Sequence, residues 1–109
     1  MEITQSVHQG IAVFTLSGDI DGKTAGPTQA EILPKIEPGA ALLDMTGVGY
    51  MSSAGLRMLL LLYRQATAKG CKIALVGLTE EIKDTMAATG FIEYFVVAAS
   101  LAEGLEALK

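Results

Sequence analysis

The 109-residue sequence has little of what builds metal sites and disulfide frameworks, since it contains one cysteine, Cys71, and one histidine, His8. A single cysteine forms no internal disulfide, and these two side chains are too few for the usual zinc cage. We expect Cys71 to lie buried as a small apolar residue and His8 to face solvent. Residues 1–5 lack the basic and apolar regions of a signal peptide, so the sequence predicts a cytoplasmic protein without structural metal.

Runs of basic residues and long apolar runs are also missing. Eight Lys and Arg stand against twelve Asp and Glu, which gives a net charge of −4, and no basic run is present that could track a phosphate backbone. The most apolar stretch, residues 56–63, contains Arg57 and is far shorter than the roughly 20 apolar residues that cross a bilayer. We expect no direct contact with nucleic acid and no insertion into a membrane.

The apolar residues that are present make up half of the chain, and charged residues make up 18%. This composition is typical of a folded protein, and the length suits one domain over residues 1–109. The apolar patterns predict the order β-β-α-β-α-β-α-β-α, an α/β fold with a mixed, mostly parallel sheet, an N-terminal hairpin and about four helices. The predicted strands cover 3–7, 11–16, 40–45, 72–76 and 91–97, and the predicted helices follow hydroxyl caps at Thr24, Ser52 or Ser53, Thr79 and Ser100.

Two of the loops at the carboxyl ends of the predicted strands are distinctive, and in open α/β sheets the functional crevice lies at those ends. The first loop, residues 18–22, carries Asp19 and Asp21, which suit either a carboxylate acid/base pair or the formation of a turn. Gly47 and Gly49 resemble part of a phosphate loop but lack its Lys-Ser/Thr ending. Since no complete motif or substrate pocket is indicated, we expect no enzyme and no bound cofactor.

The second loop leads to Ser52 and Ser53 at the start of the second predicted helix. A hydroxyl in this position is well placed for phosphorylation, because the helix dipole and free amides, here those of Gly55 and Leu56, receive the charge of a phosphate. An ordinary helix cap accounts for the same residues. The residues alone leave both interpretations open.

The second predicted helix is apolar nearly all round. Met58 and Leu61 project away from its predicted sheet-facing side, beside Arg57 and Arg64, so either neighbouring helices cover them or they form a patch that binds a partner. Ser53, Arg57 and Leu61 are spaced by four and Met58 flanks them, which predicts that a partner docks along this stripe. The predicted sheet-facing side consists of Leu56, Leu59, Leu60 and Tyr63.

Two segments, residues 18–21 (Gly-Asp-Ile-Asp) and 42–56, resemble the STAS domain of anti-sigma factor antagonists, and the resemblance spans almost the whole chain. In that family a strand ending in Asp leads to a loop and then to an Asp-Ser-x-Gly-Leu segment that opens a helix. The family's regulatory serine stands two places before the glycine. This place falls on Ser53, which the resemblance implies is phosphorylated. Ser52 stands where the family usually has Asp, and it is the alternative phosphorylation site.

The resemblance implies a partner switch controlled by phosphorylation. The unphosphorylated protein would bind an anti-sigma factor that is also a serine kinase, the phosphorylated protein would release it, and a serine phosphatase would reset the switch. ATP and magnesium would belong to the kinase, so the chain itself needs no cofactor. With the stripe and the acidic turn taken together, the expected partner-binding residues are Asp19, Asp21, Ser52, Ser53, Arg57, Met58 and Leu61.

Three other functions remain open. A STAS subunit of a transporter ATPase or of a stressosome-like scaffold would bind its partner without being phosphorylated. A receiver domain shares the alternating architecture, with Asp44 as acceptor, but Asp44 lies within a predicted strand, residues 77–79 contain no Lys, and the N-terminal hairpin does not suit that fold. An enzyme is the last alternative, which turnover of a phosphate or acyl substrate by the isolated chain would support.

Overall fold

Five strands form one sheet in the computed structural model, which describes all 109 residues. They are β1 (Glu2–His8), β2 (Ile11–Ser17), β3 (Gly39–Gly47), β4 (Cys71–Val76) and β5 (Val96–Ala98). Their spatial order follows the order of the chain. β1 pairs antiparallel with β2 and the other neighbours pair parallel, so the predicted mixed, mostly parallel sheet is confirmed.

Four helices connect and cover the strands, in the predicted order. They are α1 (Ala25–Ile32), α2 (Ser53–Ala68), α3 (Glu80–Thr89) and α4 (Leu101–Ala107), and short 3₁₀ turns occupy Leu33–Lys35 and Phe91–Tyr94. No helix combines the length and the apolar character that a bilayer crossing requires.

The N-terminal hairpin closes through two residues that both have positive φ, Gln9 at 55° and Gly10 at 78°. Two such residues in a two-residue loop match the twist of the flanking strands, as in a type I′ turn. The turn sets the register, in which His8 pairs with Ile11 and Val7 with Ala12. His8 is exposed, as predicted.

Apolar residues fill both faces of the central strands, which explains why β3 and β4 read as continuous apolar runs. On one face Leu43 and Leu75 join a core of 21 buried residues to which α1, α2 and α3 contribute. On the other face Leu42 and Val76 join a core of six buried residues that includes Leu105 of α4. The sheet is therefore covered on both sides at its centre.

Of the four hydroxyl caps predicted at helix starts, those of α3 and α4 are present. The Thr79 hydroxyl accepts from the Ile82 amide at 3.2 Å, the Ser100 hydroxyl accepts from the Glu103 amide at 3.2 Å, and Gly90 ends α3 at φ 79°. Thr24 precedes α1 but its hydroxyl makes no capping bond. It donates instead to the Asp19 carbonyl oxygen at 2.7 Å, so the predicted cap at Thr24 is wrong.

The predicted strand over 91–97 is wrong in its first half, because Phe91–Tyr94 forms a 3₁₀ turn and the strand begins at Val96. Aromatic packing against α2 gives the physical reason. The Tyr94 ring stacks on the Tyr63 ring with a centroid distance of 5.0 Å, and the Phe95 ring meets Tyr63 edge-on at 5.7 Å. These contacts hold the segment on the helix layer before it joins the sheet.

Candidate functional site

The acidic turn after β2 and the loop before α2 lie side by side at the carboxyl end of the parallel strands. Ile20 forms an isolated parallel bridge with Met51. The Ile20 amide donates to the Tyr50 carbonyl oxygen at 3.0 Å, and the Ser52 amide donates to the Ile20 carbonyl oxygen at 2.8 Å. This short backbone ladder brings the two loops singled out from the sequence into one site.

Gly55 permits this close approach. A Cβ at Gly55 would contact the Met51 side chain and would lie 2.9 Å from Cγ2 of Ile20 and 3.2 Å from its carbonyl oxygen. Real Cβ atoms essentially never come within 3.0 Å of another heavy atom, and a contact of 3.2 Å is tighter than nine in ten of those observed. The glycine therefore lets the first turn of α2 lie directly against the acidic turn.

The two acids of the turn are in different environments. One Asp21 carboxylate oxygen accepts from the Lys23 amide at 2.8 Å and from the Thr24 amide at 3.1 Å. These hydrogen bonds, that from Lys23 first, lower the pKa of Asp21 below its ordinary value. Asp21 thus forms the turn that leads into α1, whereas Asp19 is exposed and is the acid that is free to meet a partner.

Ser52 and Ser53 also differ, although they are adjacent. Ser52 precedes α2 with φ −82° and ψ 178°, and its hydroxyl oxygen is buried without a hydrogen-bond partner. Ser53 is the first residue of α2 and is exposed. Neither hydroxyl caps the helix, so the ordinary cap suggested by the sequence is wrong.

The first turn of α2 presents unpaired amides beside Ser53. The Leu56 amide already donates to the Ser52 carbonyl oxygen at 3.1 Å, so of the two amides expected to receive a phosphate's charge only that of Gly55 is free. No acidic residue lies in this first turn. The positive end of the helix dipole is therefore not offset by a carboxylate of α2.

Met58 was expected in the partner-binding stripe, and this prediction is wrong. Its side chain is 2% exposed and belongs to the larger core. The face of α2 that carries the small residues Gly55 and Ala66 lies closest to the rest of the protein, and their small size allows this close approach. The buried face of α2 consists of Gly55, Met58, Leu59, Leu62 and Ala66.

The rest of the predicted stripe lies on the outer surface of α2. Arg57 is exposed and Leu61 is half-buried, and together with Leu60 and Arg64 they line a shallow depression. The sequence predicted Leu60 on the buried face of α2, so its place in this depression was not predicted. Its spacing, three residues after Arg57 and four before Arg64, would have indicated that it lies on the same face as the two arginines.

Two residues considered for other chemistry are held in structural roles. An Asp44 carboxylate oxygen accepts from the Thr46 amide at 3.0 Å and from the Thr46 hydroxyl at 2.6 Å. Cys71 is buried, as predicted, and this burial raises the pKa of its thiol. The site at the start of α2 is therefore the strongest candidate.

Residues 2–104 match the family model of the STAS domain. The chain belongs to the STAS domain family. This confirms the family suggested by the sequence motifs around Asp19 and Ser53. Among curated proteins, BtrV of Bordetella bronchiseptica, provisionally named as an anti-sigma factor antagonist, is 28% identical over 111 residues, which cover 100% of this chain and 96% of BtrV.

Two solved structures share the fold of this STAS domain. An anti-sigma factor antagonist from Mycobacterium paratuberculosis is 24% identical with a TM-score of 0.88, and the match covers 98% of this chain and 92% of that one. SpoIIAA of Bacillus in its phosphorylated form is 15% identical with a TM-score of 0.73, over 99% of this chain and 100% of that one.

Proposed function

We propose that this STAS domain is an anti-sigma factor antagonist that binds an anti-sigma factor serine kinase until Ser53 is phosphorylated. The observation that carries the proposal is the exposed Ser53 at the first position of α2, beside the acidic turn held there by Ile20. The name of the relative BtrV supports the same class of function. The protein acts in the cytoplasm by binding, while the kinase supplies ATP and magnesium and a serine phosphatase resets the switch.

Electrostatics explain how one phosphate would end the interaction. Phosphorylation adds about −1.5 to −2 charges at neutral pH to a chain whose net charge is −4. Against an acidic or apolar surface of the partner this charge would be desolvated without a matching cation from that surface, at a cost of several kcal/mol. Such a cost corresponds to a loss of affinity of about a hundredfold or more.

The burial of the two serines favours Ser53 over Ser52 as the acceptor. A kinase needs the hydroxyl oxygen to approach the γ-phosphate in line, which an exposed side chain allows. The Ser52 oxygen is buried, and its amide donates to the Ile20 carbonyl oxygen at 2.8 Å. Phosphorylating Ser52 would require this backbone contact to open.

The deciding experiment uses the serine kinases of the anti-sigma class encoded in the same genome, each purified and incubated with the chain and ATP. Mass spectrometry locates the phosphate in the wild type, in Ser53→Ala and in the matched control Ser52→Ala. We expect phosphate on Ser53 in the wild type and in Ser52→Ala, and none in Ser53→Ala. Phosphate on Ser52 in the Ser53→Ala variant at the wild-type rate would overturn the assignment.

Binding to the same kinase, measured by calorimetry, tests the rest of the site. Ser53→Ala is expected to stay bound in the presence of ATP, and its stability should lie within about 0.5 kcal/mol of the wild type because the exposed hydroxyl makes no capping bond. Asp19→Asn should weaken binding and leave the melting temperature unchanged. If only a transporter ATPase or a scaffold protein binds, and no kinase does, the alternative STAS functions replace this one.

A further inference from the structure

The outer face of α2 carries a second feature beyond Ser53. Arg57, Leu60, Leu61 and Arg64 line one shallow depression, which we call the arginine–leucine patch. Their spacing of three, four and seven residues places them on one face of the helix, over a length of about 10 Å. The two leucines lie between the two cations and are half-buried. The patch therefore presents an apolar centre with a positive charge at each end.

The charges of this patch have no partner within the chain. Arg57 and Arg64 are the only arginines of a sequence in which acids outnumber bases by twelve to eight. The ion pairs of the structure are Lys83–Glu80 and Lys109–Glu106, and α2 itself contains no Asp or Glu. Both guanidinium groups are thus available to carboxylates from outside.

The presence of arginine rather than lysine indicates that the patch binds carboxylates of another protein. A guanidinium binds a carboxylate through two parallel hydrogen bonds, a geometry that lysine does not offer. Arginine is enriched in protein interfaces, whereas lysine is depleted there. An amphipathic helix lays its apolar side chains into a surface depression at spacings of three, four and seven residues, which is the spacing of this patch.

We propose that the arginine–leucine patch binds an acidic amphipathic helix of a partner protein. Two carboxylates seven residues apart on that helix would pair with Arg57 and Arg64, and apolar side chains between them would cover Leu60 and Leu61. The inference deepens the proposed function, on which it rests for the identity of the partner. A phosphate on Ser53, about 6 Å from Arg57 along the helix axis, lies within the Debye length of about 8 Å and would repel such a helix.

The test is a binding assay that needs neither kinase nor ATP. Its probe is a fluorescein-labelled helical peptide with Glu at positions i and i+7 and Leu at i+3 and i+4. A second peptide, in which Lys replaces both Glu, is the charge-swapped control. Fluorescence anisotropy measures binding of each peptide to the full chain. We expect the wild-type chain to bind the acidic peptide at least tenfold more tightly than the basic one.

Four charge-reversal variants decide whether the patch is responsible. Arg57→Glu and Arg64→Glu are each expected to weaken binding of the acidic peptide about tenfold, and the double variant should prefer the basic peptide. Lys72→Glu makes the same change in net charge at an exposed position of β4, and it should leave both affinities within about twofold. Circular dichroism melts check that each variant is folded.

Three results would overturn the proposal. They are equal affinity for the two peptides, equal loss of affinity in Lys72→Glu, and self-association of the chain that Leu61→Ser abolishes, since the patch would then be occupied by a second copy. The outcome is separable from that of the proposed function. A chain that no kinase phosphorylates can still bind the acidic peptide. A chain that the kinase phosphorylates on Ser53, but whose unphosphorylated form does not bind this peptide, contradicts only the patch proposal.

Discussion

Replacing Gly55 with alanine is expected to strain the contact between α2 and the acidic turn. The new Cβ would lie 2.9 Å from Cγ2 of Ile20 and 3.2 Å from the Ile20 carbonyl oxygen, and it would also contact Met51. The half-buried Met51 side chain is able to turn aside, but Ile20 is fully buried and its carbonyl oxygen accepts from the Ser52 amide. The strain therefore falls on the ladder that holds the turn beside Ser53.

Gly26 provides a matched control for the magnitude. It also lies in the first turn of a helix, it is exposed, and a Cβ there would meet no atom within 4 Å. A Gly-to-Ala exchange in a helix gains up to about 1 kcal/mol from propensity, whereas overpacking costs about 1 to 3 kcal/mol. We expect Gly26→Ala to gain up to about 1 kcal/mol of unfolding free energy, and Gly55→Ala to fall about 1 to 3 kcal/mol below Gly26→Ala.

Urea unfolding of the two variants, followed by circular dichroism, measures this difference directly because the propensity gain is common to both. In a thermal melt each kcal/mol should shift the midpoint by about 4 °C or more for a domain of this size. Hydrogen exchange should be faster at the Ser52 amide in Gly55→Ala than in the wild type, since that amide bonds to Ile20. Equal gains of stability in both variants would refute the reasoning.

Three further substitutions test individual contacts. Met58→Asp should lose more than about 3 kcal/mol of unfolding free energy, because it buries a charge at a position that is 2% exposed. An unchanged melting temperature would contradict the burial of Met58. Thr28→Val should gain about 1 kcal/mol of unfolding free energy, because the Thr28 hydroxyl is buried without a hydrogen-bond partner. A clear loss of unfolding free energy would show that this hydroxyl does form a hydrogen bond. The hydrogen bonds that lower the pKa of Asp21 stabilise the fold fully above its unfolded pKa of about 3.9, and this contribution is lost progressively as the pH falls from there through the lower pKa of the folded state. The wild type should therefore lose more stability between pH 6 and pH 3 than Asp21→Asn, and equal acid sensitivity would contradict this.

Features of the fold that depend on residues close together in the sequence were predictable. The hairpin turn contains Gly10, which adopts a positive φ without steric cost, and apolar strand patterns flank it on both sides. The caps at Thr79 and Ser100 join a hydroxyl to an amide three residues later, so the chain segment itself carries the signal. The hydroxyl of Thr24 escaped this reasoning because it bonds to Asp19, five residues earlier.

The orientation of α2 was not predictable in the same way, because its apolar run satisfies more than one helical face. Leu56 and Leu60 fit one face and Met58 and Leu62 fit another, each with the spacing of an amphipathic helix. Packing chooses between them. Gly55 and the fully buried Ala66 lie on the observed face, and their small size is the sequence signal that distinguishes the two.

The different roles of the adjacent serines follow from a contact across 32 residues of sequence. The Ser52 amide donates to the Ile20 carbonyl oxygen immediately before α2 begins, and the Ser52 hydroxyl oxygen is buried. Ser52 has an extended backbone, with φ −82° and ψ 178°. Successive side chains of an extended chain point to opposite sides, and the next side chain, Ser53, is exposed. The spacing to Gly55 indicates Ser53 and leaves Ser52 as the alternative, and it carries no information on which of the two hydroxyls is exposed. Because exposure depends on the bond to Ile20, a variant that loosens this bond, such as Gly55→Ala, should bring phosphate to Ser52 as well as Ser53, and phosphate confined to Ser53 in that variant would separate site choice from burial.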